Sequence, residues 1–181
     1  MSLIRRQDSL LLVVDLQQKL APAIYEGKQA IANSIRLLEG ARQLGVPRFV
    51  SEQYVRGLGP SVEAVRLAAS DAHFFEKTHF SCAAEPGVLD LLRAARRPQV
   101  ILTGTETHVC VLQTAFGLLG AGFDVHVVAD AASSRTPESR HAAIERMRAA
   151  GIQIVTTEMV LFEWLHQAGT DEFRALLPLI K

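Results

Sequence analysis

The chain has 181 residues, 49% of them hydrophobic, and its 19 Lys+Arg balance 19 Asp+Glu to a formal net charge of zero. That length suits one domain, residues 1–181, able to bury roughly 70% of the surface its unfolded form exposes, so its core needs neither disulfide nor metal. Without a basic excess there is no electrostatic case for nucleic acid or an anionic membrane surface, and the apolar content disfavours disorder.

Residues 10–14 are continuously apolar and end at Asp15, the pattern of a strand buried on both faces. Ile31, Ile35, Leu38 and Ala41 follow at helical spacing, with Gly45 and Pro47 marking the exit. Residues 48–51 read as a second strand, and 57–61 as a turn opening a short helix over 62–69. A third strand is expected over 73–77. Pro86 suits the first position of a helix running to Arg96. The fourth strand is placed at 99–103, followed by a turn at 104–108 and a helix over 109–120. Residues 124–129 form the fifth strand. Ala143, Met147 and Ala150 mark one face of the next helix, which Gly151 stops. A sixth strand at 152–156 and helices over 160–166 and 171–179 complete the chain. This alternation predicts an α/β three-layer sandwich with a six-stranded parallel sheet, whose ligands bind beyond the carboxyl ends of the strands.

Cys82 and Cys110 lack any metal-type spacing and fit a reducing compartment. Arg5 and Arg6 precede an apolar run too short for a secretory segment of about 7–15 residues. The mostly apolar stretch 109–123 is broken by Gln113 and Thr114 and falls short of the ~20 residues that span a bilayer. The expectation is a soluble, cytoplasmic protein with no membrane partner.

Reactive side chains occur at three strand ends. Asp15 closes the first strand, Lys77 stands at the end of the third, and Cys110 lies just inside the helix after the fourth. Only Asp15-Leu16-Gln17-Gln18 follows the first strand, which is no glycine-rich dinucleotide turn, and no phosphate loop occurs elsewhere. Each residue has a plainer role: a helix cap for the aspartate, packing for the cysteine, a solvated charge for the lysine. Their shared position at one edge of one sheet is what favours chemistry. A thiol at a helix N-terminus near a lysine is expected to have a lowered pKa. Asp15 would take its proton and return it to a leaving group, worth about 10²–10⁴ in rate. Free backbone N–H groups in the turn before Cys110 would receive an oxyanion, each worth ~10²–10³.

Four segments carry a family resemblance. They are Leu11-Leu12-Val13-Val14-Asp15-Leu16-Gln17-Gln18, Glu76-Lys77-Thr78-His79-Phe80-Ser81-Cys82, the stretch 102–115 around Gly104-Thr105-Glu106-Thr107-His108-Val109-Cys110, and 127–135. Together they resemble the isochorismatase-like cysteine hydrolases across nearly the whole chain. Ser51-Glu52-Gln53-Tyr54 followed by Gly57-Leu58-Gly59 is similar to the short isochorismatase-domain subgroup. The resemblance implies an Asp15–Lys77–Cys110 triad, an oxyanion hole from the backbone N–H groups of Glu106 and Cys110, and a cis peptide at Thr105–Glu106. It also implies strand order 3-2-1-4-5-6 and a homo-oligomer, a dimer or larger.

The chain departs from the nicotinamidases of that family, which hold a metal with an Asp-x-His and further histidines after the second strand. Residues 51–58 contain no histidine, and His73 and His79 lack a carboxylate at matching spacing. No metal and no cofactor are therefore expected. Isochorismatases proper often lack the cysteine, so Cys110 favours acyl chemistry. Gln53, Tyr54, Phe80, Thr105 and His108 are pocket candidates, although loop or packing roles explain each of them as well. Cys82 is a rival thiol whose default role is packing. The expected activity is metal-independent hydrolysis of an amide, imide or related C–N bond of a small molecule through a thioester on Cys110. The alternatives are vinyl-ether hydrolysis with Asp15 as acid, or a scaffold that kept the fold without turnover.

Overall fold

The computed structural model describes residues 3–180. Its strands are β1 (Ser9–Val14), β2 (Arg48–Gln53), β3 (His73–Lys77), β4 (Gln99–Thr105), β5 (Asp124–Ser133) and β6 (Gln153–Val155). They form one sheet in the order β3-β2-β1-β4-β5-β6, with every neighbouring pair parallel. Helices flank it: α1 (Gly27–Gln43), α2 (Val55–Leu58), α3 (Glu63–Ala68), α4 (Val88–Ala94), α5 (Leu112–Gly120), α6 (Pro137–Ala149), α7 (Thr157–Leu165) and α8 (Asp171–Ile180).

The two-residue period of a strand divides the apolar side chains between two core layers. Leu10, Leu12 and Val14 point to one side, where Leu92 of α4, Leu118 of α5 and Met147 of α6 meet them. Leu11 and Val13 point to the other, against Leu37 and Leu38 of α1, Val65 of α3, Trp164 of α7 and Leu176 of α8. All six residues of β1 are buried, as its unbroken apolar run requires. Among the described residues no helix is long and apolar enough to cross a membrane.

The strand cores lie where expected, but three strands continue past their apolar runs: β2 by Glu52 and Gln53, β4 by Gly104 and Thr105, β5 as far as Ser133. β6 is shorter than expected. Pro86 is not the first residue of α4; the helix begins at Val88, after Gly87 with φ +80°. The helix after β4 opens with a π-helical turn, Thr107–Val111, before α5 proper.

Gly104 sets how closely β1 and β4 approach. Its φ is +116°, and an added Cβ would stand 2.0 Å from the Val14 carbonyl oxygen and 2.6 Å from its nitrogen. Only glycine allows this contact. Val14 pairs with Gly104 on one side and Ser51 on the other, so the residues just beyond these three converge on one spot.

Candidate active site

Asp15 is the first residue past β1 and turns there into the left-handed region, φ +51°. Its side chain is fully buried, as is that of Lys77, the last residue of β3; the two meet at 2.7 Å, Nζ to Oδ2. The other carboxylate oxygen, Oδ1, accepts a 2.7 Å hydrogen bond from the Ser51 hydroxyl of β2. The Cys110 thiol, in the π-helical turn, lies close enough to the same carboxylate that each shifts the other's proton affinity. Asp15, Lys77 and Cys110, 15 to 110 in the chain, are thus brought into one cluster at the carboxyl edge.

Lys77 is fully engaged. Its ammonium donates to Asp15 Oδ2 at 2.7 Å, Gln53 Oε1 at 2.5 Å, the Phe80 carbonyl at 3.2 Å and the His79 carbonyl at 3.3 Å. An ammonium has only three N–H groups, so these acceptors already exhaust it. Gln53 is tied down in turn. Its amide donates to the Thr78 carbonyl at 2.8 Å, and its backbone N–H and carbonyl are bridged by the buried side chain of Gln17 at 2.8 and 2.9 Å. Ser51 and Gln53 are two apart on β2 and so share a face. One holds the carboxylate and the other the ammonium.

The electrostatics differ from the sequence expectation at the thiol. Burial and the neighbouring Asp15 carboxylate push the Cys110 thiol up to about 12, and Lys77 offsets only part of this. Sequence position alone favoured a lowered pKa, through the helix dipole and the lysine. The correction follows first from burial, which disfavours the thiolate, and then from the negative charge of the Asp15 carboxylate beside it. Burial raises the Asp15 pKa, with Lys77, Ser51 and Cys110 opposing. For Lys77 burial acts downward, but the anionic surroundings of Asp15, Cys110 and Cys82 outweigh it and the pKa is raised.

The remaining candidates divide between interior and rim. Thr105 is buried and its hydroxyl donates to the Asp15 carbonyl at 2.8 Å, fixing the backbone under the carboxylate. Gln53, expected as pocket lining, is buried with its polar end on Lys77. Tyr54 and Phe80 stand 55% and 54% exposed, and Tyr54 borders a cavity of about 290 Å³ with Lys77 and Glu85. His108 is half-buried, with Nδ1 2.9 Å from the Ser134 hydroxyl. The peptide between Thr105 and Glu106 is cis. Glu106 pairs with Arg135 at 2.6 Å on the rim. Cys82 is fully buried beneath the cluster, its thiol raised to about 11 by burial, and its backbone N–H donates to Thr114 Oγ1 at 2.9 Å. Among the described residues no three His, Cys, Asp or Glu side chains converge as metal ligands would.

Sequence reasoning missed Ser51 and Gln17. The available signal for Ser51 was its position: the last residue of an apolar strand beside the one ending in Asp15, with a hydroxyl where packing alone asks for a methyl. Gln17 offered no signal, because its role is a contact 36 residues away.

Comparison with known proteins agrees with this architecture. The isochorismatase domain model matches residues 9–159. Isochorismatase domain-containing protein 1 of Danio rerio is 40% identical over 173 residues, covering 96% of this chain and 61% of its own length. The chain therefore spans less than two thirds of that relative. Isochorismatase domain-containing protein 2 of the same fish is 37% identical over 95% of this chain and 86% of its own length. A solved structure described as MAR1 ribonuclease of Caenorhabditis elegans is 39% identical, with a TM-score of 0.93 over 99% of this chain and 92% of that one. The YcaC gene product of Escherichia coli, described as an octameric hydrolase of unknown specificity, is 25% identical with a TM-score of 0.92 over 99% of this chain and 91% of that one.

Proposed function

The chain belongs to the isochorismatase family of hydrolases, and we propose that it is a cysteine hydrolase that cleaves an amide, imide or related C–N bond of a small molecule without a metal. The observation that carries this reading is the buried cluster of Lys77, Asp15 and Cys110, in which Lys77 is ion-paired with Asp15 and the thiol is electrostatically coupled to the same carboxylate. Desolvating three ionisable groups side by side is unfavourable for a fold and useful for proton transfer.

With its thiol at about 12, Cys110 is protonated at rest. The nucleophile forms as the proton passes to Asp15 while sulfur attacks the substrate carbonyl carbon. Burial, which raises the proton affinity of Asp15, makes it the better base. The oxyanion is received by the backbone N–H groups of Glu106 and Cys110. Asp15 then returns the proton to the departing nitrogen, leaving a thioester. Water, deprotonated by Asp15, attacks the thioester, and the carboxylic acid and the Cys110 thiol are released. Lys77 has no N–H left for a substrate. Its part is a fixed positive charge that keeps Asp15 ionised between turnovers. Tyr54, Phe80 and His108 line the mouth and select the substrate.

Relatives lend support within their own descriptions. A YcaC structure from Pseudomonas aeruginosa, 26% identical to this chain, is described with covalent acrylamide. The octameric description of the E. coli protein supports a homo-oligomer here as well. The ribonuclease description of the C. elegans protein raises RNA as a substrate, for which the zero net charge provides no phosphate-attracting field.

A second reading has its own observation. A carboxyl whose proton affinity is raised by burial is also suited to protonating an enol ether carbon, with no covalent intermediate. Replacing Cys110 by Ala separates the two. Loss of turnover by at least about 10³, with an acyl adduct trapped on the wild-type thiol by intact-protein mass spectrometry, is expected. A Cys110→Ala enzyme with full activity leaves only the acid mechanism.

A further inference from the structure

β2 contributes none of the three reactive groups, yet it braces two of them. We propose that Ser51 is a positioning residue of this site: its hydroxyl fixes one oxygen of the Asp15 carboxylate so that the group faces Cys110 as a proton acceptor in a single orientation. The inference rests on the reading of Asp15 as the base.

The geometry is specific. Ser51 is fully buried, its Oγ lies 2.7 Å from Asp15 Oδ1, and its backbone carbonyl accepts the Asp15 N–H at 3.2 Å. Asp15 is thus held by β2 through both main chain and side chain. A carboxylate attached only to Lys77 keeps freedom to turn about its terminal torsion, which is broad and two-fold. A second hydrogen bond at the opposite oxygen removes that freedom. The hydroxyl also favours the ionised carboxylate, because it donates to it. Every other ionisable neighbour of Asp15 is accounted for: Lys77 from β3, Cys110 from the π-helical turn, and Cys82 from the segment after β3. Lys77 sits on Oδ2, so its ammonium does not take the place of the Ser51 hydroxyl on Oδ1.

The test uses iodoacetamide on the whole protein and needs no substrate. Its carbon forms a bond to Cys110 sulfur, iodide leaves, and Asp15 takes the thiol proton. The rate is followed by intact mass across pH 4 to 9, with the adduct mapped to its cysteine. Loss of the donor raises the proton affinity of Asp15, so the acid limb of the rate profile moves to higher pH in Ser51→Ala, by about half to one unit. Below that limb alkylation slows about 3- to 10-fold. Ser51→Thr, which keeps the hydroxyl, restores the wild-type limb. An unmoved limb in a folded Ser51→Ala protein overturns the proposal, since a merely structural serine would change the melting temperature alone. Should Ser51→Thr not fold, the carboxylate stretch assigned to Asp15 by an Asp15→Asn difference infrared spectrum decides. It must shift in Ser51→Ala, and an unchanged band overturns the proposal. Wild-type protein in which Cys110 is not alkylated anywhere between pH 4 and 9 refutes the underlying cysteine mechanism instead, a result distinct from either.

Discussion

At the carboxyl edge of the sheet, Asp15 and Lys77 meet with both side chains fully withdrawn from water and almost every polar atom partnered. At the amino edge, Arg6 and Glu172 also meet at 2.7 Å, but with side chains 38% and 48% exposed. They border a cavity of about 770 Å³ between the segment Leu3 to Gln7 and the end of α7. The roomier edge holds no convergent reactive groups, whereas Lys77 borders a smaller cavity, of about 290 Å³, together with Tyr54 and Glu85. Volume is therefore a poor guide to the site in this molecule, while desolvated charge is a good one. An exposed pair contributes about 0–1 kcal/mol and needs no special surroundings. A buried pair persists only where neighbours satisfy it, and here Ser51, Gln53 and Gln17 are those neighbours.

The sharpest way to break this contrast is Lys77→Met, which strands a carboxylate in the core. A loss of about 3–5 kcal/mol at neutral pH is expected by denaturant titration. The sign with pH follows from Asp15. Its folded pKa lies above the unfolded value, so its contribution is present below about 3.8 and is lost as pH rises through the folded value. The Lys77→Met variant should accordingly recover part of its stability in acid, and a pH-independent deficit would contradict the buried-charge account.

Glu85 provides an intermediate case, a carboxylate at the rim rather than beneath it. Hydrogen bonds from the His79 side chain, then from the backbone N–H groups of His79 and Thr78, hold its pKa down to about 2. Stability from this group is present above about 4.5 and is lost as pH falls through about 2. Glu85→Gln should remove that acid-side component, so the melting-temperature gap to wild type closes between those pH values. Smallest of all, Arg6→Ala at the amino edge should change stability by no more than about 0.5 kcal/mol, less in high salt, with activity untouched.

The legible part of the fold was its apolar part. Leu10 to Val14 announces β1 because burial on both faces demands unbroken hydrophobicity. The strand ends were misjudged for the same reason. Glu52–Gln53, Gly104–Thr105 and the residues up to Ser133 pair in the sheet although large apolar side chains give way there to polar residues, glycine and alanine. Asp15, Lys77 and Cys110 were readable from their places at strand ends. The direction of the thiol's pKa was not, because it depends on burial by the folded chain and on a carboxylate 95 residues earlier. Gln53 was expected to line a pocket from a loop where β2 in fact continues; its pairing with Lys77 in the ladder keeps its side chain inside.

The missing side chain at Gly104 has a consequence beyond the turn it permits. With no Cβ between them, the two central strands touch backbone to backbone, and the carboxylate and sulfur that follow them inherit that spacing. Any larger residue there would act as a wedge, prising apart β1 and β4 and with them Asp15 and Cys110, while Tyr54 and Phe80 stand exposed and free to vary. The spacing of carboxylate and sulfur is thus locked by a single hydrogen atom where other residues carry carbon, whatever side chains stand around them.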